Sequence, residues 1–276
     1  MNPRYALFGH PVAHSLSPQI HAQFAQQFGI AMDYVAIDVA PDAFAQTLQK
    51  FADDGGWGGN VTVPHKQAAF ALCDSLSGRA QRAGSVNTLL RTESGWHGDT
   101  TDGIGLVRDL TIRHGYDLHG CRALLLGAGG AAAGVAPALL DAGVRELVIV
   151  NRTQANAAAL VARIAEAGNV RACEWSELTA LRPFEMIVNA TSAARAVQPL
   201  SLPSSLANSQ TLAVDLGYGN AADDFLSWAT TVGCEARIDG LGMLVEQAAE
   251  SFLLWHGLRP QTNSVLARLQ NLAGTR

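Results

Sequence analysis

The sequence predicts an α/β protein of two domains followed by C-terminal helices, and two observations predict it. Short apolar runs alternate with helical patterns through the first third of the chain. The same rhythm restarts at Arg122 with a strand, a glycine turn, a helix and a second strand. The 276 residues permit it, since a core usually stops growing at ~250 residues and length alone allows either one large domain or two ordinary ones. The restart sets the expected division at residues 1–102, 103–238 and 239–276.

In the first domain Tyr5 to Phe8, Tyr34 to Val39 and Gly59 to Val63 read as strands, the last stopped by Pro64. Pro18 to Phe28 and Asp42 to Phe51 carry helical periodicity. A further helical stretch precedes a strand over Ser85 to Leu90 and the turn Glu93-Ser94-Gly95. In the second domain the strands are Ala123 to Leu126, Glu146 to Val150, Met186 to Val188, Leu212 to Val214 and Ala236 to Ile238. Helices to about Leu140, over Ala155 to Glu166 and over Phe225 to Thr230 lie between them, which makes a parallel sheet with covering helices. Met243 to Trp255 and Ser264 to Leu272 close the chain as helices.

Composition narrows the function. Hydrophobic residues make up 48% and charged residues 16%, so the chain can build cores and is too poorly charged for disorder. The net charge is −5 and no Lys/Arg run occurs, which speaks against a nucleic-acid partner. Cys73, Cys121, Cys173 and Cys234 are too scattered for a metal knuckle or a disulfide framework, and the histidines lack ligand spacing, so no metal is expected. Ala123 to Leu140 is uncharged, but its glycines and Pro137 read as strand, turn and helix rather than a membrane span. The start shows no signal peptide, and a cytoplasmic location is expected.

Gly127-Ala128-Gly129-Gly130-Ala131-Ala132 follows an apolar strand and opens a helix, the context a G-x-G-x-x-A dinucleotide fingerprint needs. Gly127 allows the tight turn, Gly129 admits the pyrophosphate, and the amides at the helix start face the phosphates. The next strand ends in Asn151-Arg152-Thr153, with a guanidinium where an NAD site carries an acid. A carboxylate there would repel a ribose 2′-phosphate and Arg152 would bind it, so the cofactor expected is NADP(H).

Four loops of the first domain are rich in small polar and ionisable residues: His14-Ser15-Leu16-Ser17-Pro18, Asn60-Val61-Thr62-Val63-Pro64-His65-Lys66, Ser85-Val86-Asn87-Thr88 and Gly98-Asp99-Thr100-Thr101-Asp102. With the glycine turn, Asn151-Arg152-Thr153, Asn189-Ala190-Thr191-Ser192 and Asp239 to Ala249, they resemble the shikimate dehydrogenase family in order over nearly the whole chain. The resemblance implies an N-terminal α/β substrate domain and a Rossmann-like NADP-binding domain, with the C-terminal helices returning to the first. It implies reversible NADPH-dependent reduction of 3-dehydroshikimate, a small ring carboxylic acid, by a monomer or homodimer.

The resemblance also assigns residues. Ser15 and Ser17 would hold the ring carboxylate, and Thr62, Asn87, Asp102 and Gln247 would meet ring hydroxyls with Tyr218 nearby. Lys66 would be the general acid/base, assisted by Asp102: hydride arriving at a ketone carbon leaves charge on oxygen that an ammonium can neutralise. Gly127, Ala128, Gly129, Gly130, Ala131, Asn151, Arg152, Thr153, Thr191, Leu216, Gly240 and Met243 would contact the cofactor. Plainer readings stand beside these: Ser17 before Pro18 also fits a helix N-cap, Asn87 a turn former, Thr62 a strand residue and Met243 core filler. Thr100 replaces the family's Asn, Ala194 its Gly, and Asp223-Asp224 its Thr-Pro. A quinate/shikimate or aminoshikimate dehydrogenase, or a catalytically silent ring-acid sensor, would use the same ring pocket.

Overall fold

The computed structural model describes residues 2–191 and 201–274, and its chain divides into two units, Met1–Gly105 with Leu244–Arg276, and Leu106–Met243. Both division points fall inside helices, α5 (Asp102–Arg108) and α9 (Leu241–His256). Ala194 lies outside the described residues.

The first unit is built on a six-stranded mixed sheet. Strands β1 (Arg4–Gly9), β2 (Asp33–Asp38) and β3 (Gly56–Val61) run parallel, separated by α1 (Ser17–Phe28) and α2 (Phe44–Asp53). After α3 (Lys66–Leu72), the two-residue β4 (Ser75–Leu76) and α4 (Gly78–Ala83), β5 (Thr88–Thr92) and β6 (Gly95–Asp99) form an antiparallel hairpin. The order across the sheet is β2-β1-β3-β5-β6-β4. β1 buries five of its six residues, the pattern of a strand covered on both faces. Phe8 packs edge-on against Phe44 and Phe51 on the α2 side, and α9 ties itself to β5 through Trp255 Nε1, which donates to Leu89 O at 2.9 Å. Gly105 is required: a Cβ there would stand 2.6 Å from Gln247 Cβ, so only glycine lets α5 approach this part of α9.

The second unit holds a six-stranded, wholly parallel sheet of β7 (Arg122–Leu126), β8 (Glu146–Val150), β9 (Val170–Cys173), β10 (Met186–Asn189), β11 (Leu212–Asp215) and β12 (Ala236–Ile238), in the order β12-β11-β10-β7-β8-β9. Its central strands are nearly continuous Leu, Ile and Val because helices cover both faces, α6 (Gly130–Asp141) and α7 (Gln154–Ile164) on one core and α8 (Asp223–Thr231) on the other. The strand order reverses where β7 passes between β8 and β10, the crevice at which open α/β sheets bind ligands. No helix among the described residues is long and apolar enough to cross a membrane.

Several elements depart from the sequence reading. The strand expected from Ser85 starts only at Thr88; Val86 and Asn87 instead form a loop whose amides donate to Lys66 O and Asp99 O. Three strands, β4, β6 and β9, are absent from the sequence pattern: β4 is two residues paired with β6, Trp96 between two glycines leaves no alternation to read, and Val-Arg-Ala-Cys is a short edge strand made by pairing with β8. Ser17 is not the N-cap of α1. Leu16 occupies that position, and the Ser17 amide donates to Ser15 Oγ at 3.2 Å.

One buried group makes the first unit acid-sensitive. His21 is fully buried, stacked on Tyr34 at 4.4 Å, with no hydrogen bond to either ring nitrogen among the described residues, and burial holds its pKa down to about 3. An unfolded imidazole takes up its proton near pH 6.5 and the folded one does not. Stability is therefore complete above that pH and is lost as pH falls from about 6.5 towards 3, at up to about 1.4 kcal/mol per pH unit. His21→Phe keeps the stack without the titration. Urea unfolding at pH 6, 5 and 4 is expected to show a flatter acid decline for the variant, and parallel declines would exonerate His21.

Candidate active site

In the first unit, four loops and two helix starts bring the polar residues together. Lys66 opens α3 and Asp102 opens α5, and their side chains, 10% and 6% exposed, meet at 2.5 Å from Nζ to Oδ2. The loop before β5 is pinned to Lys66 by the Val86 amide, which places Asn87 beside the pair. Asn87 Nδ2 donates to Asp102 Oδ1 at 2.9 Å and to Gln247 Oε1 at 3.1 Å. Lys66, Asn87, Asp102 and Gln247 thus form one buried cluster although Asn87 and Gln247 are 160 positions apart. A lysine is tolerated in such a buried place because it is paired and hydrogen-bonded.

Ser15 and Ser17 share a hydroxyl contact of 3.2 Å, with Ser17 buried and Ser15 half-buried. Thr62 is half-buried just past β3, its amide donating to Phe8 O. Thr100 keeps its amide on Asp99 Oδ1, yet its buried hydroxyl has no partner among the described residues, so it does not replace the side-chain amide that the family pattern has there. The sequence reading gave no role to Thr88 and Thr101, which stand in its polar loops, and missed Tyr34 and Ser251 as members of this polar cluster. Tyr34 donates to Asn60 Oδ1 at 2.8 Å, and Asn60 Nδ2 donates to Ser251 Oγ at 2.9 Å. Serine four residues beyond Gln247, on the same face of the helix, was the available signal.

In the second unit the glycine turn links β7 to α6. Gly127 has φ +108°, and a Cβ there would meet Ala190 O at 3.0 Å, so glycine is demanded twice over. Gly129 is exposed, with open space where a Cβ would stand, and no side chain caps the helix that starts at Gly130. Ala128 and Ala131 are half-buried, and Ala132 is buried against the sheet. These features fit a dinucleotide pyrophosphate: small residues, open space and a helix start without an acid in its first turn.

At the end of β8, Asn151 Nδ2 donates to Thr153 O at 2.9 Å, and Arg152 is exposed with no ion pair to any described residue. Thr191 donates its hydroxyl to Asn189 Oδ1 at 2.7 Å, and Asn189 Nδ2 donates to Asp215 at 2.7 Å. Burial pushes the Asp215 carboxyl up to about 6 against those hydrogen bonds. Leu216 and Tyr218 follow it, both half-buried. The Gly240 amide donates to Gly217 O, and a Cβ on Gly240 would strike Leu216 O. Met243 is buried in the core of this unit.

Residues 7–89 match the shikimate dehydrogenase substrate binding domain, 109–221 the shikimate / quinate 5-dehydrogenase domain, and 240–270 the shikimate 5′-dehydrogenase C-terminal domain. The chain is 62% identical over 271 residues to the shikimate dehydrogenase (NADP(+)) of Stenotrophomonas maltophilia strain R551-3, covering 98% of this chain and 96% of that protein. Among solved structures it resembles an Ael1 enzyme from Pseudomonas putida, with a TM-score of 0.88 at 40% identity, covering 97% of this chain and 98% of that one. It also resembles shikimate 5-dehydrogenase from Thermus thermophilus in complex with NADP(H) and shikimate, with a TM-score of 0.84 at 36% identity over 98% of this chain and 99% of that one. With a buried lysine–carboxylate pair at two helix starts of the first unit, a glycine turn in the second and family matches along most of its length, this chain belongs to the shikimate dehydrogenase family.

Proposed function

We propose that this protein catalyses the reversible NADP(H)-dependent interconversion of 3-dehydroshikimate and shikimate, with Lys66 as general acid/base. The observation that carries the residue assignment is the buried Lys66–Asp102 pair at 2.5 Å, bordered by the amides of Asn87 and Gln247. NADPH, when bound, supplies a hydride with its electron pair. The ring carbonyl carbon receives it, the C=O π electrons move to oxygen, and the Lys66 ammonium gives that oxygen its proton. In the oxidative direction neutral Lys66 accepts the hydroxyl proton. Asp102 orients the ammonium through Oδ2 and balances its charge, while Asn87 holds the other carboxylate oxygen.

Ser15 and Ser17 are assigned to the ring carboxylate, whose two oxygens suit a pair of adjacent short donors. Thr62, Asn87, Asp102 and Gln247 are assigned to ring hydroxyls, which a desolvated pocket must pair. Gly127 to Ala131 would cradle the pyrophosphate, and Asn151, Arg152 and Thr153 would take the 2′-phosphorylated ribose. Thr191, Leu216, Gly240 and Met243 are assigned to the rest of the cofactor. The four unpaired thiols suit a reducing cytoplasm.

The test is nicotinamide absorbance with shikimate, quinate and aminoshikimate, each offered with NADP+ and with NAD+. Shikimate with NADP+ is expected to give the highest kcat/KM. Preference for another ring acid would reassign the substrate, and tight binding of a ring acid without oxidation would make the protein a sensor.

A further inference from the structure

The hydrogen bonds around Asn87 have a direction that the general acid/base assignment does not use. A carboxylate accepts and cannot donate, so Asp102 Oδ1 demands the NH2 of Asn87, 2.9 Å away. A backbone N–H donates and cannot accept, so the Thr101 amide, 2.8 Å away, demands the carbonyl oxygen of the same side chain. The Thr101 hydroxyl also sits 2.9 Å from Asn87 Nδ2, and thus grips the amide at both its atoms. Thr88 donates its hydroxyl to Asn87 Oδ1 from the other side at 2.8 Å. Thr88, Thr101 and Asn87 are all buried, so each broken hydrogen bond leaves a group that water does not repair.

Gln247 is held by the same device. Its Nε2 donates to Leu244 O at 2.9 Å, which turns Oε1 towards Asn87 Nδ2 and the Thr101 hydroxyl. Two hydrogens on Asn87 Nδ2 therefore serve three acceptors: Asp102 Oδ1, Thr101 Oγ1 and Gln247 Oε1. Behind Thr101, Ser251 Oγ lies 2.8 Å from the Thr88 hydroxyl and 3.3 Å from the Thr101 hydroxyl, and donates to Gln247 O at 3.1 Å.

We propose that Thr101 is a positioning residue for the dehydrogenase reaction: its hydroxyl, with its own backbone amide, locks the Asn87 side chain so that Asn87 and Lys66 hold opposite oxygens of Asp102. The inference rests on the assignment of Lys66 and Asp102 to proton transfer. It extends that assignment outward by one residue beyond Asn87, because a carboxylate gripped at one oxygen only is free to swing, and the ammonium swings with it. Geometric errors well below 1 Å at a proton-transfer site are enough to slow turnover.

The test uses the intact chain with shikimate and NADP+. Thr101→Val is nearly isosteric, removes the hydroxyl and leaves the backbone amide. Its kcat is expected to fall about 10- to 100-fold, the shikimate KM to rise by less than kcat falls, and the NADP+ KM to stay within about twofold. Thr101→Ser, which restores the hydroxyl, is expected to recover kcat to within about threefold of the parent protein. Should the valine variant not fold, Thr88→Val removes the opposing hydroxyl and is expected to depress kcat in the same sense. An unchanged kcat in a folded valine variant, or a serine variant as slow as the valine one, overturns the positioning role. Failure of the unmodified protein to oxidise shikimate overturns the proposed function instead, so the two failures are distinct.

Discussion

Lys66→Ala is expected to lower the rate of shikimate oxidation about 10²–10⁴-fold, the usual loss when a general acid or base is removed. Shikimate binding should change only a few-fold, because the carboxylate and most ring hydroxyls are assigned to other side chains. The reason lies in when the lysine is assigned to act: in oxidation its neutral amine would take the hydroxyl proton as hydride leaves the ring carbon, so its contribution falls in the transition state rather than in binding. Removing one member of a buried pair also strands the other, and Asp102 is buried with it, at a stability cost of about 3–5 kcal/mol. Lys66→Gln, which retains bulk and a donor, is therefore measured alongside, with circular dichroism as the check on folding. Steady-state kcat together with shikimate affinity from equilibrium titration decides the matter, and a folded variant turning over at the normal rate removes Lys66 from the chemistry.

Arg152→Asp is expected to weaken NADPH about 10²-fold or more in kcat/KM, while NADH changes within about threefold. The guanidinium is exposed at the end of β8 and has no ion pair to a described residue, so its loss costs the fold little. Only a cofactor carrying a 2′-phosphate loses charge-assisted hydrogen bonds there, and the new carboxylate repels that phosphate. The ratio of kcat/KM values for the two cofactors reads the effect directly. A ratio equal to that of the parent protein would place the 2′-phosphate elsewhere.

Legibility in the sequence followed the range of the interaction behind each feature. β7, the glycine turn and α6 were readable because a buried parallel strand, a tight turn and a small-residue helix each leave a local mark at Ala123 to Leu140. β6 was not, since Gly95-Trp96-His97-Gly98-Asp99 becomes a strand only by pairing with β5 and β4. Ser17 reads as a possible cap from its place before Pro18, yet the observed cap position is Leu16, and Ser15 accepts the Ser17 amide. The choice between neighbouring serines depends on the loop's path, which local propensity does not encode.

By itself the sequence determined that the chain is α/β with a second parallel sheet opening on a glycine turn, and that its polar loops carry the motifs of shikimate dehydrogenases. Period-2 and period-3.6 patterns and turn residues are properties of contiguous residues, so they survive without a third dimension. Only the tertiary structure decided that Lys66 lies 2.5 Å from Asp102, that Asn87 reaches across to Gln247, and that the Thr101 amide donates to the Asn87 side-chain oxygen. Such contacts join side chains distant in sequence, and their directions follow from which buried atoms can donate and which can only accept.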